Sequence, residues 1–147
     1  MAKATQYLRV QIGDGLFLLP GASGYAIEQR ENLSTADAAG PVAAWRAVRN
    51  RRLPAYSLDG ALKPARRDTW QRAIFIESAP GDGVGFVADD VHLLAEEEVT
   101  VASFEPLGPP PTPAGHVFGG AWHSEKRVVL VFEPRALVAY LQSLGGA

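Results

Sequence analysis

The sequence predicts an all-β domain closed by one C-terminal helix. Three observations carry that prediction. Short runs of alternating apolar and polar residues recur along the chain, as in half-buried strands. Turn signals rich in Gly, Asp and Pro separate these runs at regular spacing, which gives about ten strands and points to a barrel or sandwich. The helical period stands out at the very end, where Leu137, Tyr140, Leu141 and Leu144 fall on one face.

The elements follow in order. YLRVQI (7–12) alternates as a strand, Gly13-Asp14-Gly15 turns the chain, and LFLLP (16–20) returns as a second strand. YAIEQ (25–29) is a short third strand, and NLSTADAAGP (32–41) is a polar loop. PVAAWRAV (41–48) reads as one short helical turn. RLPAYSL (52–58) is a strand, with Pro54 at an edge or a bulge because proline donates nothing to a ladder. After a basic loop at 60–69, TWQRAIFIES (69–78) is a strong strand. APGDGVG (79–85) turns it into a returning strand, VGFVADDV (84–91). LLAEEEVTVASF (93–104) carries one more strand beyond an acidic corner. GPPPTP (108–113) is too rich in proline for a helix or central strand and reads as a stiff connector. HVFGGAWHSEKRVVLVFE (116–133) is a hairpin turning near Ser124-Glu125-Lys126. Pro134 then opens a docking helix, which Gly145-Gly146 stop.

Composition narrows the class. The 147 residues suit one domain, with 47% apolar and 20% charged residues as in a soluble globular protein. No apolar run is long enough to span a bilayer, and MAKATQYLRVQ lacks the apolar stretch of a signal peptide. The chain has no cysteine, which removes disulfides, thiolate metal sites and a cysteine nucleophile. A cytoplasmic location without membrane insertion is the expectation. The net charge of −2 conceals an asymmetry. Residues 46–72 hold eight of the fourteen Lys and Arg against Asp59 and Asp68, so that segment carries +6 and the remainder −8. Such a patch attracts acidic surfaces, although a solvated loop face accounts for it equally well.

Catalytic patterns are missing. His92, His116 and His123 form no i, i+4 pair and no HExxH frame, and read as surface imidazoles. GDGVGF (81–86) lies between strands, whereas a phosphate cradle opens into a helix. Asp89 and Asp90 are adjacent, so on a strand they face opposite ways unless a bulge intervenes. Glu96–Glu98 is a solvated corner, and no serine sits in GxSxG. The expectation is a binding module, with no enzyme activity, no cofactor, no metal and no small-molecule substrate.

Four segments, in order, carry a resemblance to the CheW-like domain, the adaptor fold of bacterial chemotaxis. YLRVQIGDGLFLLP resembles the family's first hairpin. VRNRRLPAYSL resembles its "LRG, two or three residues, P, apolar pair, D, L" motif, with Val48, Arg49, Leu53, Pro54 and Leu58 in register. VGFVADDV resembles the family's "G-apolar-apolar-V-D-x-V" strand, through Gly85, Asp89 and Val91. VFGGAWHSEKRVVLVFEPRALVAYL resembles the family's ending. There are departures. Asn50 stands for the glycine after the arginine, and Asn tolerates positive φ best among other residues. Ser57 stands for the usual aspartate, Ala44 for a glycine and Glu133 for an aspartate.

The resemblance covers residues 5–144 and implies a single CheW-like domain of two small SH3-like five-stranded barrels sharing a core, with a C-terminal helix. It implies a non-enzymatic adaptor that binds a chemoreceptor cytoplasmic tip and a CheA-type histidine kinase regulatory domain. The altered motif positions suit a specialised member, such as one in a pilus-linked (twitching) system. The partner-binding residues it implies are Ile27, Val48, Arg49, Asn50, Val87 and Asp89. Arg49 would brace the junction between barrels or help present the receptor surface, and a purely structural role carries equal weight. Arg51 and Arg52 lie outside the family pattern and read as charges that discourage edge pairing. The alternative is a small barrel binding single-stranded nucleic acid through segment 46–72, with Trp45, Tyr56 and Trp70 as stacking faces. Acidic overall charge and the lack of a periodic aromatic platform disfavour it.

Overall fold

The computed structural model describes residues 6–21, 25–36, 40–48, 51–66, 69–79, 82–95, 98–103, 117–124 and 127–144. Among these, the strands are β1 (Gln6–Ile12), β2 (Gly15–Pro20), β3 (Tyr25–Gln29), β4 (Val42–Val48), β5 (Arg51–Tyr56) and β6 (Arg72–Ala79). They continue with β7 (Asp82–Ala88), β8 (Asp90–Ala95), β9 (Val101–Ser103), β10 (Phe118–Ser124) and β11 (Arg127–Phe132), and the chain then enters α1 (Pro134–Gln142).

The strands form two sheets, ordered β8-β1-β2-β11-β10-β9 and β3-β6-β7-β5-β4. Both are built alike, from two antiparallel ribbons joined along a short parallel seam. In the six-stranded sheet the seam pairs Phe17 with Leu130 and Leu18 with Val131. In the five-stranded sheet it pairs Ala55 with Gly85 and Tyr56 with Phe86. The first sheet has one strand more than expected because 93–104 supplies two pieces, the end of β8 and the short β9.

Two other expectations change. Residues 42–48 form a strand rather than a helical turn, paired from Val42↔Tyr56 to Val48↔Arg51. Pairing along the whole length outweighs the helix preference of its alanines. The expected strand 84–91 breaks at Asp89, a bend at which the chain leaves the five-stranded sheet and enters the six-stranded one. Pro54 lies inside a strand with neighbours on both sides. The ladder to β7 covers only Ala55 and Tyr56, so the missing N–H of Pro54 breaks none of those pairs. The GPPPTP connector and the 125–126 turn lie outside the described residues.

Three apolar clusters hold the sheets. The largest joins both: Leu8, Val10 and Leu19 from one sheet meet Ile74, Val84 and Phe86 from the other, all nearly or fully buried. Leu137 and Leu141 of α1, each fully buried, plug the same cluster. A ring stack marks the join. Phe17 and Phe132 stack at 5.1 Å, and Phe86 from the opposite sheet meets Phe132 edge-on at 5.9 Å. Each sheet also has a private cluster. Leu53, Trp70, Phe75 and Val87 fill the five-stranded side, and Leu18, Val99, Val129 and Val131 the six-stranded side. Central strands are therefore apolar on both faces, as Phe17-Leu18-Leu19 shows by alternating between clusters.

The helix starts where the sequence places it. Glu133 is the N-cap and its carboxylate accepts from Ala136 N–H at 3.1 Å, with Pro134 in the first turn. Tyr140 reaches across to donate its hydroxyl to the Leu62 carbonyl. Leu62 has φ +65°, a left-handed conformation that costs leucine roughly 1–2 kcal/mol. Burying its side chain returns about as much or more, roughly 1.5–3 kcal/mol.

Candidate partner-binding surface

The implied site residues fall in three places. Val48 ends β4 opposite Arg51, half-buried against the five-stranded sheet's private cluster. Arg49 and Asn50, which join β4 to β5, lie outside the described residues. Val87 is 2% exposed inside the same cluster as Leu53 and Phe75, so the side chain packs inward. Ile27 on β3 is 37% exposed, a large apolar side chain at the surface. Asp89 sits at the crossing between sheets. Val48 and Val87 are thus brought together, whereas Ile27 and Asp89 stand apart from that cluster.

Asp89 holds the junction. Its carboxylate accepts from Gly13 N–H at 2.8 Å and from Thr69 Oγ1 at 3.1 Å, and its own N–H donates to Gln11 O at 2.8 Å. One residue therefore binds the β1–β2 turn to the segment before β6. The turn is pressed from another side by the 58–62 loop: a Cβ on Gly60 would stand 3.1 Å from Gly15 N.

The five-stranded sheet closes through polar contacts that the sequence does not reveal. Arg46 Nε on β4 donates to Glu28 Oε2 on β3 at 3.0 Å, joining the two edge strands. Ser34 bridges Trp45 just beyond. The Arg46 guanidinium also lies 5.5 Å from the Phe75 ring centroid, and Arg52 lies 4.5 Å from that of Trp45. The Arg46 contacts join residues 18 or more positions apart, and no local pattern marks them.

These placements remove the stacking platform of the nucleic-acid alternative. Tyr56 is 1% exposed and Trp70 3% exposed, and Arg52 covers Trp45. A base needs an open aromatic face. Among the described residues no group of three or more His, Cys, Asp and Glu is arranged to hold a metal ion. His92 Nε2 meets Asp90 Oδ2 at 2.8 Å on β8, an open surface pair. No described helix is long and apolar enough to cross a membrane.

The architecture defines a class: a two-subdomain β protein with a shared core and a capping C-terminal helix. In that class the chain is similar in structure to the scaffolding protein TtCheW from Thermoanaerobacter tengcongensis. The TM-score is 0.57 at 14% identity, over 90% of this chain and 86% of that one. The fold is therefore CheW-like, with two SH3-like subdomains, and divergent in sequence. No family model matches the chain, and no curated protein matches it in sequence.

Proposed function

We propose that this chain is a non-enzymatic adaptor of chemotaxis-type signalling, which couples a chemoreceptor cytoplasmic tip to a CheA-type histidine kinase regulatory domain. The observation that carries the proposal is the fold shared with a scaffolding protein over 90% of the chain. Physical support comes from the three-cluster core. Each sheet keeps a private cluster while a shared one locks the pair together. That construction offers two surfaces on one rigid body, as coupling by simultaneous contact requires. Individually weak contacts suffice when an assembly supplies effective concentration. The proposal places the chain in the cytoplasm. The altered motif positions at Asn50 and Ser57 favour a specialised system, such as a pilus-linked one.

Calorimetric titration tests this reading. The chain is titrated separately with a receptor signalling-tip fragment and a kinase regulatory domain from the same genome, with Arg49→Ala alongside. The proposal expects binding to both and a weakening of one by the variant. Binding to neither overturns it.

A further inference from the structure

We propose that residues 57–65 form a strap that couples α1 to the tip of the β1–β2 hairpin, so that loosening one end loosens the other. The strap is tied at its base. Ala65 N–H donates to Ser57 O at 2.9 Å, and Leu58 bridges Pro64. Inside it, Asp59 Oδ1 accepts from Ala61 N–H at 2.8 Å and from Lys63 N–H at 2.9 Å. Asp59 N–H donates to Lys63 O at 2.8 Å, and Leu62 N–H to Asp59 O at 2.9 Å. With its backbone groups bonded to one another, the segment moves as one piece.

The strap grips two different bodies. Gly60 presses on the hairpin tip, where a Cβ would stand 3.1 Å from Gly15 N, 3.3 Å from Ile12 O and 3.5 Å from Asp14 N. Two residues on, Leu62 O accepts the Tyr140 hydroxyl of α1. The Leu62 side chain, 7% exposed, packs in the shared cluster with Leu137 and Leu141. Burial raises the Tyr140 pKa, and the Asp59 charge raises it further, so a second strap residue acts on the same side chain. Leu62 is the element with two arrangements. Docked, it has φ +65°, a left-handed conformation that leucine holds only under constraint. Released from Tyr140 and from the core, it returns to negative φ, and that rotation shifts Gly60 against the hairpin. Pressure on Gly60 acts on the same hinge in reverse.

The inference goes beyond the adaptor reading and does not depend on it. Under that reading the strap links the six-stranded sheet, which carries the hairpin, to the surface around α1. Native-state hydrogen exchange on the 15N-labelled chain tests it. Gly60→Ala wedges the hairpin end, where backbone atoms must give way. It is expected to speed exchange of the Leu137 and Leu141 amides of α1 about fivefold, the low end of ordinary coupling between sites. By reciprocity Tyr140→Phe, which removes only the hydroxyl, should speed exchange of the Gly13 amide, bonded to Asp89, by a similar factor. The Ile74 and Phe86 amides, on the paired strands β6 and β7, are the controls and should keep their rates. Should Gly60→Ala fail to fold, Tyr140→Phe read at Gly13 carries the test alone. Changes confined to the altered end would overturn the proposal. So would exchange that rises equally at Ile74 and Phe86, as general destabilisation produces.

Discussion

The Asp89 carboxylate accepts a 2.8 Å hydrogen bond from the backbone N–H of Gly13, across 76 positions of sequence. Gly13 has φ +57° at the tip of the β1–β2 hairpin. The bond fixes that tip beside the bend where the chain changes sheets. Asp89 is therefore part of the frame that holds the two subdomains in register.

Asp89→Ala should lower unfolding stability by about 2 kcal/mol, since it leaves Gly13 N–H and Thr69 Oγ1 without their charged acceptor. Asp89→Asn keeps one acceptor oxygen and should cost roughly half of that. Urea titration followed by tryptophan fluorescence reads both. An Asp89→Ala variant as stable as the parent would show that the tie contributes nothing.

Gly85 occupies the parallel seam of the five-stranded sheet. A Cβ there would lie 2.6 Å from Phe75 Cδ2 and 2.7 Å from Ile74 O. The backbone oxygen cannot swing aside, so Gly85→Ala should cost about 1–3 kcal/mol through overpacking. Thermal denaturation checks it, and an unchanged midpoint would contradict the packing described.

Ser57 is 4% exposed, and its Oγ has no hydrogen-bond partner among the described residues. An unsatisfied buried hydroxyl opposes folding. Ser57→Ala should therefore be neutral or stabilising by up to about 1 kcal/mol. A loss greater than that would reveal a partner for the hydroxyl.

Tyr140 donates to the Leu62 carbonyl, and burial, with a smaller contribution from the Asp59 charge, raises its pKa above the usual 10.0. The folded protein then holds the phenolic proton more tightly than the unfolded chain. This stabilisation is fully present below pH about 10 and is lost as pH rises through the raised folded value. Stability measured between neutral and strongly alkaline pH should fall above that point, and less steeply in Tyr140→Phe. Identical alkaline profiles would contradict the assignment.

Much of the fold is legible because strand signals are local. The alternation in YLRVQI, the apolar run AIFI, the Gly13 turn and the Pro134 start all appear where the sequence puts them. The errors arise where a distant partner decides. Residues 42–48 look weakly helical until β5 pairs with them. VGFVADDV reads as one extended run to Val91, and nothing local says that Asp89 turns it into a second sheet. The site is less legible for the same reason. Motif register marks Val87 and Asp89, but only packing reveals that Val87 faces the core and that Asp89 holds a hairpin tip. The Glu28–Arg46 closure joins edge strands that meet only in the finished sheet, and the Arg52–Trp45 stack depends on the β4–β5 pairing that the sequence reading missed.

The coupling claim is tested most directly by sedimentation velocity on a mixture of this chain, a receptor signalling-tip fragment and a kinase regulatory domain. The account predicts one faster-sedimenting species that contains all three and disappears when this chain is left out. Mutually exclusive binary complexes, with receptor displacing kinase at any ratio, would contradict it.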